Sequence, residues 1–292
     1  MNGEGHGRLV LLATPIGNLG DLSPRARQVL AEADLICCED TRRTRALLSA
    51  MGIPAGGAEG DRLLSLHGHN EALRLERVAS CVAGGGTVAV VSDAGTPGIS
   101  DPGSWLVAEL AAAGETVSVV PGPTSVIGAL VVSGLPTDRF CVEGFLPRKG
   151  GERRERIAAL MADVRTTVVL EAPGRVAGTM ADLAAVDPER PVAVVRELTK
   201  VHEEVWRGTV GEGAGVYGER LVRGEVVLVI GGAPPAGPVS DEEIEVAVRD
   251  RMSGAMGEGP RQIAEILSVE LGVARRRVYE TALRIRAGAG SP

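Results

Sequence analysis

The strongest constraint on this chain is an alternation. Short apolar runs recur between amphipathic stretches, and several of the runs end in loops rich in Gly, Pro, Ser and Thr. Short β-rich runs separated by helical spacings predict βαβ units and a largely parallel sheet. Strands are expected at 8–13, 34–38, 88–92 and 116–120, and helices at 23–32, 41–51, 71–83 and 103–113. Ser23 before Pro24 reads as an N-cap followed by a first-turn proline, and Gly52 and Gly114 read as helix stops. After Pro121-Gly122-Pro123 a second α/β block begins, with helices expected at 124–132, 152–161 and 175–185. Its strands are expected at 139–143, 166–170, 192–197 and 225–230, with 201–208 extended, and its sheet is expected to be mixed. Residues 231–238 (GGAPPAGP) read as a linker. Beyond it, 241–251, 260–268 and 274–286 read as helices, the last two with helix-turn-helix spacing. The expected organisation is an α/β domain at 8–123, a second at 124–233 and a small helical tail at 240–287.

Composition excludes several classes. At 44% apolar and 24% charged, 292 residues have the make-up of a globular chain and the length of about two domains. The longest uncharged stretch, 116–137, is long enough to cross a bilayer, but Pro121, Gly122, Pro123 and Gly128 interrupt it, so no membrane span is expected. The cysteines, Cys37, Cys38, Cys81 and Cys141, include an adjacent pair and no CxxC. No secretory leader is evident, so reduced thiols in a cytoplasmic protein are expected. A net charge of −7 speaks against a globally basic nucleic-acid binder but leaves room for local patches. Of 31 lysines and arginines only Lys149 and Lys200 are lysine. Arginine clusters therefore carry little weight as evidence for RNA, whereas a retained lysine suggests a demand for a compact ammonium.

In a parallel α/β domain ligands bind beyond the carboxyl ends of the strands. Three such ends lead into Thr14-Pro15-Ile16-Gly17-Asn18-Leu19, into residues 93–103 (DAGTPGISDPG) and into residues 121–125 (PGPTS). Loops of this type present backbone groups at close range, and three on one sheet edge make a cleft for a small polar ligand. Leu170-Glu171-Ala172 ends a strand of the second block and is expected to face the same cleft. No P-loop G-x-x-x-x-G-K-[ST] is present and the first loop is no G-x-G-x-x-G, which disfavours nucleotide triphosphate and ordinary dinucleotide binding.

These loops also carry a resemblance. LLATPIGNLGDLSPRA (11–26), CEDTRRTRALL (38–48), VSDAGTPGISDPG (91–103), VPGPTSVIGAL (120–130), SGLPTDRF (133–140), GFLPRKG (144–150) and RELTKVHEE (196–204) stand in this order. Together they resemble the bacterial small-subunit (16S) ribosomal RNA cytidine 2′-O-ribose methyltransferases of the tetrapyrrole methylase superfamily, over about residues 8–233 with a weaker match in the tail. The resemblance implies two α/β domains with the cofactor S-adenosylmethionine in the cleft between them, a homodimer, ribosomal RNA as substrate and no metal. It places Pro15, Asp93, Gly95, Thr124 and Ser125 against the cofactor, and Leu170, Glu171 and Ala172, by their place after a strand of the second domain, are expected to join them. Asp93 also suits a turn or helix cap.

Transfer to a ribose hydroxyl needs orientation and a cation or base near the oxygen. Lys200 is the candidate cation and Glu197 the candidate orienter or base, although the two also suit a plain strand-end ion pair. RNA contacts are expected from Arg42 and Arg43, from His67 and Asn70, and from Arg148 and Lys149, which stand with Arg153, Arg154 and Arg156 around Gly150-Gly151. A basic tail, with Arg275, Arg276, Arg277, Arg284 and Arg286 against Glu280, adds another candidate patch. Two positions depart from the family pattern: Gly68 in His67-Gly68-His69-Asn70 and Gly174 in Glu171-Ala172-Pro173-Gly174-Arg175 lack the usual Glu and His side chains. A zinc site at His67, His69 and His202 finds no completing cysteine or carboxylate cluster. The alternatives are a small-molecule methyltransferase of the same fold, including a tetrapyrrole enzyme, and a non-catalytic helix-turn-helix regulator. An acidic, aromatic-poor chain is expected to act on an assembled particle rather than on a short free strand.

Overall fold

The computed structural model describes residues 7–57, 60–68, 70–99, 101, 103–234, 239–253 and 258–288; His69 of the zinc reading lies outside them. The chain divides into two compact units, residues 1–233 and 234–292.

Unit 1 begins with β1 (Arg8–Leu12), α1 (Pro24–Glu32), β2 (Leu35–Cys38) and α2 (Thr41–Ala50). A glycine-rich hairpin, β3 (Gly56–Gly57) and β4 (Gly60–Asp61), precedes β5 (Leu63–Ser65), α3 (Glu71–Ala83), β6 (Thr87–Val91), α4 (Ser104–Ala112) and β7 (Thr116–Val120). Ser23 accepts from Ala26 N–H and Asp40 from Arg42 N–H, so α1 and α2 begin at side-chain caps. Five of the strands form a parallel sheet in the order β5-β2-β6-β1-β7. Leu9, Val10 and Leu12 of β1 and Val88, Ala89 and Val90 of β6 are at most 2% exposed, as a sheet covered on both faces requires. Leu12 lies level with Val91 and Val120 in the ladders. The loops after β1, β6 and β7 therefore leave the sheet at one edge.

The rest of unit 1 runs α5 (Ser125–Ser133), β8 (Phe140–Phe145), α6 (Gly151–Ala162), β9 (Thr166–Glu171), α7 (Val176–Ala184), β10 (Pro191–Arg196), β11 (Glu204–Thr209), α8 (Val210–Gly218) and β12 (Val226–Ile230). Its sheet, β11-β10-β12-β9-β8, pairs β8 with β9 in parallel and the other neighbours antiparallel, with a bulge near Glu143. Val126, Ala129 and Leu130 of α5 pack on Val168, Ala193 and Val229. The opposite face carries Leu146, Ile157, Met180, Leu183 and Tyr217. Helix α8 is an element the pattern did not announce. With glycine at 211, 213, 215 and 218 its propensity is poor, and it is held by a Thr209–Glu212 capping box and by the buried Tyr217.

Unit 2 contains α9 (Asp241–Ser253), α10 (Pro260–Glu270) and α11 (Arg275–Gly288), packed around Ile244, Val248, Ile263, Leu267, Val278 and Ala282. Four of the five tail arginines are paired with acids. Arg275 pairs with Glu265, Arg276 with Glu280, Arg277 with Asp241 and Arg284 with Glu245, at 2.6–3.5 Å. Three of these acids stand on α9 and α10, and the fourth, Glu280, on α11 itself. Among the described residues, no helix is long and apolar enough to cross a membrane.

One buried carboxylate fixes a loop of the parallel half. Glu71 accepts from Gly103 N–H at 3.1 Å and Leu106 N–H at 3.2 Å, holding the start of α4. Glu71→Ala leaves both donors buried without that partner and is expected to lower the unfolding free energy by about 2 kcal/mol; urea denaturation checks this. Glu71→Gln should lose less.

Candidate functional site

The loops after β1, β6 and β7 are stitched to one another. Thr14 N–H donates to the Gly95 carbonyl at 2.8 Å, and Gly95 N–H returns a bond to the Thr14 carbonyl at 3.0 Å. The Thr14 hydroxyl donates to the Ser92 carbonyl, and the Thr96 hydroxyl to the Pro123 carbonyl. Gly95 stands at φ +85, a conformation that suits glycine.

Above these loops lies a cavity of about 380 Å³. From the parallel half its wall includes Ile16, Asp93, Gly95, Thr96, Ile99 and Asp101, followed by Thr124 and Ser125 at the start of α5. Leu170, Glu171 and Ala172 of the second half complete it, with Gly224, Glu225 and Val226. Glu171 has no exposed side-chain surface; it accepts from Ala172 N–H, from Arg175 and from the Thr179 hydroxyl at 2.6 Å. Thr179 in turn accepts from Arg153 at 2.9 Å. A second cavity of about 350 Å³, lined by Thr14, Pro15, Gly17 and Leu19, shares Arg43 and Asp93 with the first.

Residues 197–200 form a tight loop beside these walls. Glu197 and Thr199 both have positive φ, at 51° and 68°, which is strained for residues with a side chain. Three glycines make room for the loop. A Cβ on Gly17 would stand 2.3 Å from Lys200 Cγ, one on Gly128 2.7 Å from Leu198 Cδ2, and one on Gly224 2.3 Å from the Glu197 carboxyl. Lys200 Nζ donates to Glu197 at 2.9 Å and meets Glu225 at 3.1 Å. The Lys200 hydrogen bond and the Glu225 N–H hold Glu197 below the usual carboxylate range. Burial pulls the Lys200 ammonium down, but the two carboxylates outweigh it and leave its pKa raised.

The expected site residues divide into three groups. Asp93, Gly95, Thr124, Ser125, Leu170, Glu171 and Ala172 line the larger cavity, and Pro15 the second. Glu197 and Lys200 join the larger cavity through Glu225. The remaining residues lie elsewhere or have other partners. Arg42 is exposed and paired with Asp40, while Arg43 lines both cavities and reaches Asp93 at 3.4 Å. Arg148 and Lys149 are exposed in the bend before α6, and His67 and His202 are exposed. Asn70 is a correction: it is 8% exposed, and its amide accepts from His67 N–H and donates to the Ser65 carbonyl. Arg153, grouped with the basic cluster, is likewise structural, because Asp182, Thr179 and the Pro147 carbonyl satisfy it inside the second half. Among the described residues, no group of His, Cys, Asp and Glu has the arrangement to hold a metal ion. Sequence reasoning passed over Asp101 and Glu225. Asp101 stands inside a quoted loop, so strand-end logic could have found it; Glu225 needed the fold.

The model of the Tetrapyrrole (Corrin/Porphyrin) Methylases matches residues 8–214. The chain belongs to the tetrapyrrole methylase family. It is similar to ribosomal RNA small subunit methyltransferase I of Mycobacterium tuberculosis, 44% identical over 291 residues and 98% of each chain. It is also similar to the protein of that name in Synechocystis, 42% identical over 284 residues, 96% of this chain and 99% of that one. A solved uroporphyrin-III C-methyl transferase from Thermus thermophilus, complexed with S-adenyl homocysteine, shares the fold at a TM-score of 0.51 and 24% identity. It covers 78% of this chain and 92% of that one.

In this tetrapyrrole methylase the Glu197–Lys200 pair has a defined pH signature. The lowered Glu197 contributes stability above its unfolded value near 4.5, lost as pH falls through its folded value. The raised Lys200 contributes below its unfolded value near 10.5, lost as pH rises through its folded value. The stability difference between wild type and Lys200→Met should be flat from about pH 6 to 9 and shrink below pH 4. Denaturation at stepped pH checks this.

Proposed function

We propose that this tetrapyrrole methylase transfers a methyl group from S-adenosylmethionine to the 2′-hydroxyl of a cytidine ribose in small-subunit ribosomal RNA. The observation that carries the reading is coverage. Relatives named for ribosomal RNA methylation match 98% of this chain, unit 2 included. The family model stops at residue 214, and the uroporphyrin enzyme covers 78%. A small-molecule reading leaves unit 2 without a task.

The larger cavity suits the donor. Its volume of about 380 Å³ falls in the range of small-ligand sites. Ile16, Ile99, Val126 and Val227 offer apolar surface for a purine, and carboxylates on the wall suit a molecule with a sulfonium and an ammonium. Asp93, Gly95, Thr124, Ser125, Leu170, Glu171 and Ala172 would hold it, with Pro15 from the adjoining wall. When bound, it supplies an electrophilic methyl group on a good leaving group. The chain's own task is orientation and charge. Lys200 keeps its proton, so its role is that of a donor to the developing alkoxide rather than a base. Glu197, engaged by Lys200 and by Glu225 N–H, is the orienter of that ammonium. Arg42, Arg43, His67, Arg148 and Lys149 are the RNA contacts in this reading, and an assembled subunit is the preferred substrate.

A homodimer is part of the same reading. Strands β7 and β8 are sheet edges, and on them and on α5 the apolar Val119, Val131 and Phe145 are 55–67% exposed. Such surface on edge strands suits a second copy of the chain.

Calorimetry with S-adenosylmethionine should give one donor per chain. Lys200→Arg should reduce single-turnover methyl transfer by roughly a hundredfold while leaving donor affinity intact. Near-wild-type rates in that variant would reduce Lys200 to an ion-pair partner. Methylation should be far faster on small subunits than on a short oligonucleotide; equal turnover contradicts the particle reading.

A further inference from the structure

Four carboxylates stand on the described wall of the larger cavity: Asp93, Asp101, Glu171 and Glu225. Three of them already have partners. Asp93 accepts from Asp40 N–H at 3.1 Å and faces Arg43 at 3.4 Å. Glu171 is held by Arg175, Thr179 and Ala172 N–H. Glu225 meets Lys200 at 3.1 Å.

Asp101 differs from the other three. Among the described residues no lysine or arginine reaches it within ion-pair distance. Its neighbours in the loops that follow β2 and β6 are acidic, Glu39 and Asp93, and among the described residues the Ser92 hydroxyl favours its charge. Arg43 of α2, the one lysine or arginine among the described residues of this wall, is engaged by Asp93. From α3, Glu71 is occupied with Gly103 and Leu106 N–H. Burial, reinforced by Glu39, pushes the Asp101 carboxyl up to about 6. Its place is fixed from one side, because Gly103, two residues on, is held by Glu71 and stands at φ +116.

A half-buried carboxylate among other carboxylates, with no cation of its own, is an electrostatic deficit that a positively charged ligand removes. We infer that Asp101 is the carboxylate that receives a positive charge of the methyl donor. The inference rests on the reading that this cavity binds S-adenosylmethionine, and it names a residue for the charge that Asp93, already paired, is poorly placed to meet. It also has a consequence for protons. A cation at Asp101 requires the ionised carboxylate, so binding below neutral pH expels the proton that the empty site carries to the solvent buffer. At pH 6 about half a proton leaves per donor bound.

The test is isothermal titration of S-adenosylmethionine and S-adenosylhomocysteine into the wild type and Asp101→Asn, at pH 5 to 7.5, in buffers of different ionisation enthalpy. In the wild type, S-adenosylmethionine affinity should fall about tenfold between pH 7.5 and 5, with heats near pH 6 that depend on the buffer. In Asp101→Asn affinity at pH 7.5 should be about tenfold lower, and the difference from wild type should vanish toward pH 5. Loss of affinity for both ligands assigns the ammonium to Asp101; loss for S-adenosylmethionine alone assigns the sulfonium. An Asp101→Asn protein with wild-type affinity and wild-type pH dependence overturns the inference. If that variant does not fold, buffer-independent heats in the wild type overturn it equally. A wild type that binds neither ligand overturns the proposed function itself, and the inference with it.

Discussion

Two backbone hydrogen bonds, between Thr14 and Gly95 in both directions, hold the site that the rest of the molecule serves. A parallel sheet brings its strand ends to one edge but does not say how the loops beyond that edge will lie. Here Leu12, Val91 and Val120 finish level, and the Thr14–Gly95 exchange ties the first two loops before they diverge. The Thr96 hydroxyl then ties the second loop to the third through the Pro123 carbonyl. The cavity wall is thus made of backbone whose polar groups are paired locally, which is what a preformed ligand site needs.

Beside the opposite wall, the 197–200 loop holds strain. Glu197 and Thr199 occupy a backbone region that costs of order 1–3 kcal/mol per residue and persists only when the surroundings over-determine it. Those surroundings are Gly17, Gly128 and Gly224, each leaving the space that Lys200, Leu198 or Glu197 fills. Gly17 belongs to the first loop of the parallel half, Gly128 to α5 and Gly224 to the turn before β12. The lysine is therefore positioned jointly by both halves of unit 1, and its ammonium is locked between two carboxylates.

Most strands and helices were legible because periodicity and turn chemistry agreed. Thr116–Val120 and Glu71–Ala83 fall at their expected bounds. The failures have physical causes. Val210–Gly218 holds four glycines, and its helix exists because Gly213 lets Met180 and Trp206 approach and Tyr217 is buried, a tertiary override of propensity. Leu63–Ser65 is three residues long and pairs only with β2, too short for alternation to register. At the site, strand-end logic reached the loops containing Asp93, Gly95, Thr124 and Ser125. It could not tell a carboxylate with a partner from one without, since Arg43 and Asp93 meet only in space. The same blindness made Arg153 look like a surface group and α11 look basic, because Asp182, Thr179, Glu265, Asp241 and Glu245 lie on other elements; Asn70 is instead taken up by its own turn, through His67 N–H and the Ser65 carbonyl.

The scarcity of lysine has a practical consequence in chemical labelling. A reagent that attacks side-chain amines finds two targets in this chain. Lys200 is kept protonated by the two carboxylates that accept from it and is three-quarters covered, which makes it a poor nucleophile. Lys149 stands exposed in the bend before α6. A dye or photo-crosslinker with an activated ester thus marks one defined side chain without cysteine engineering.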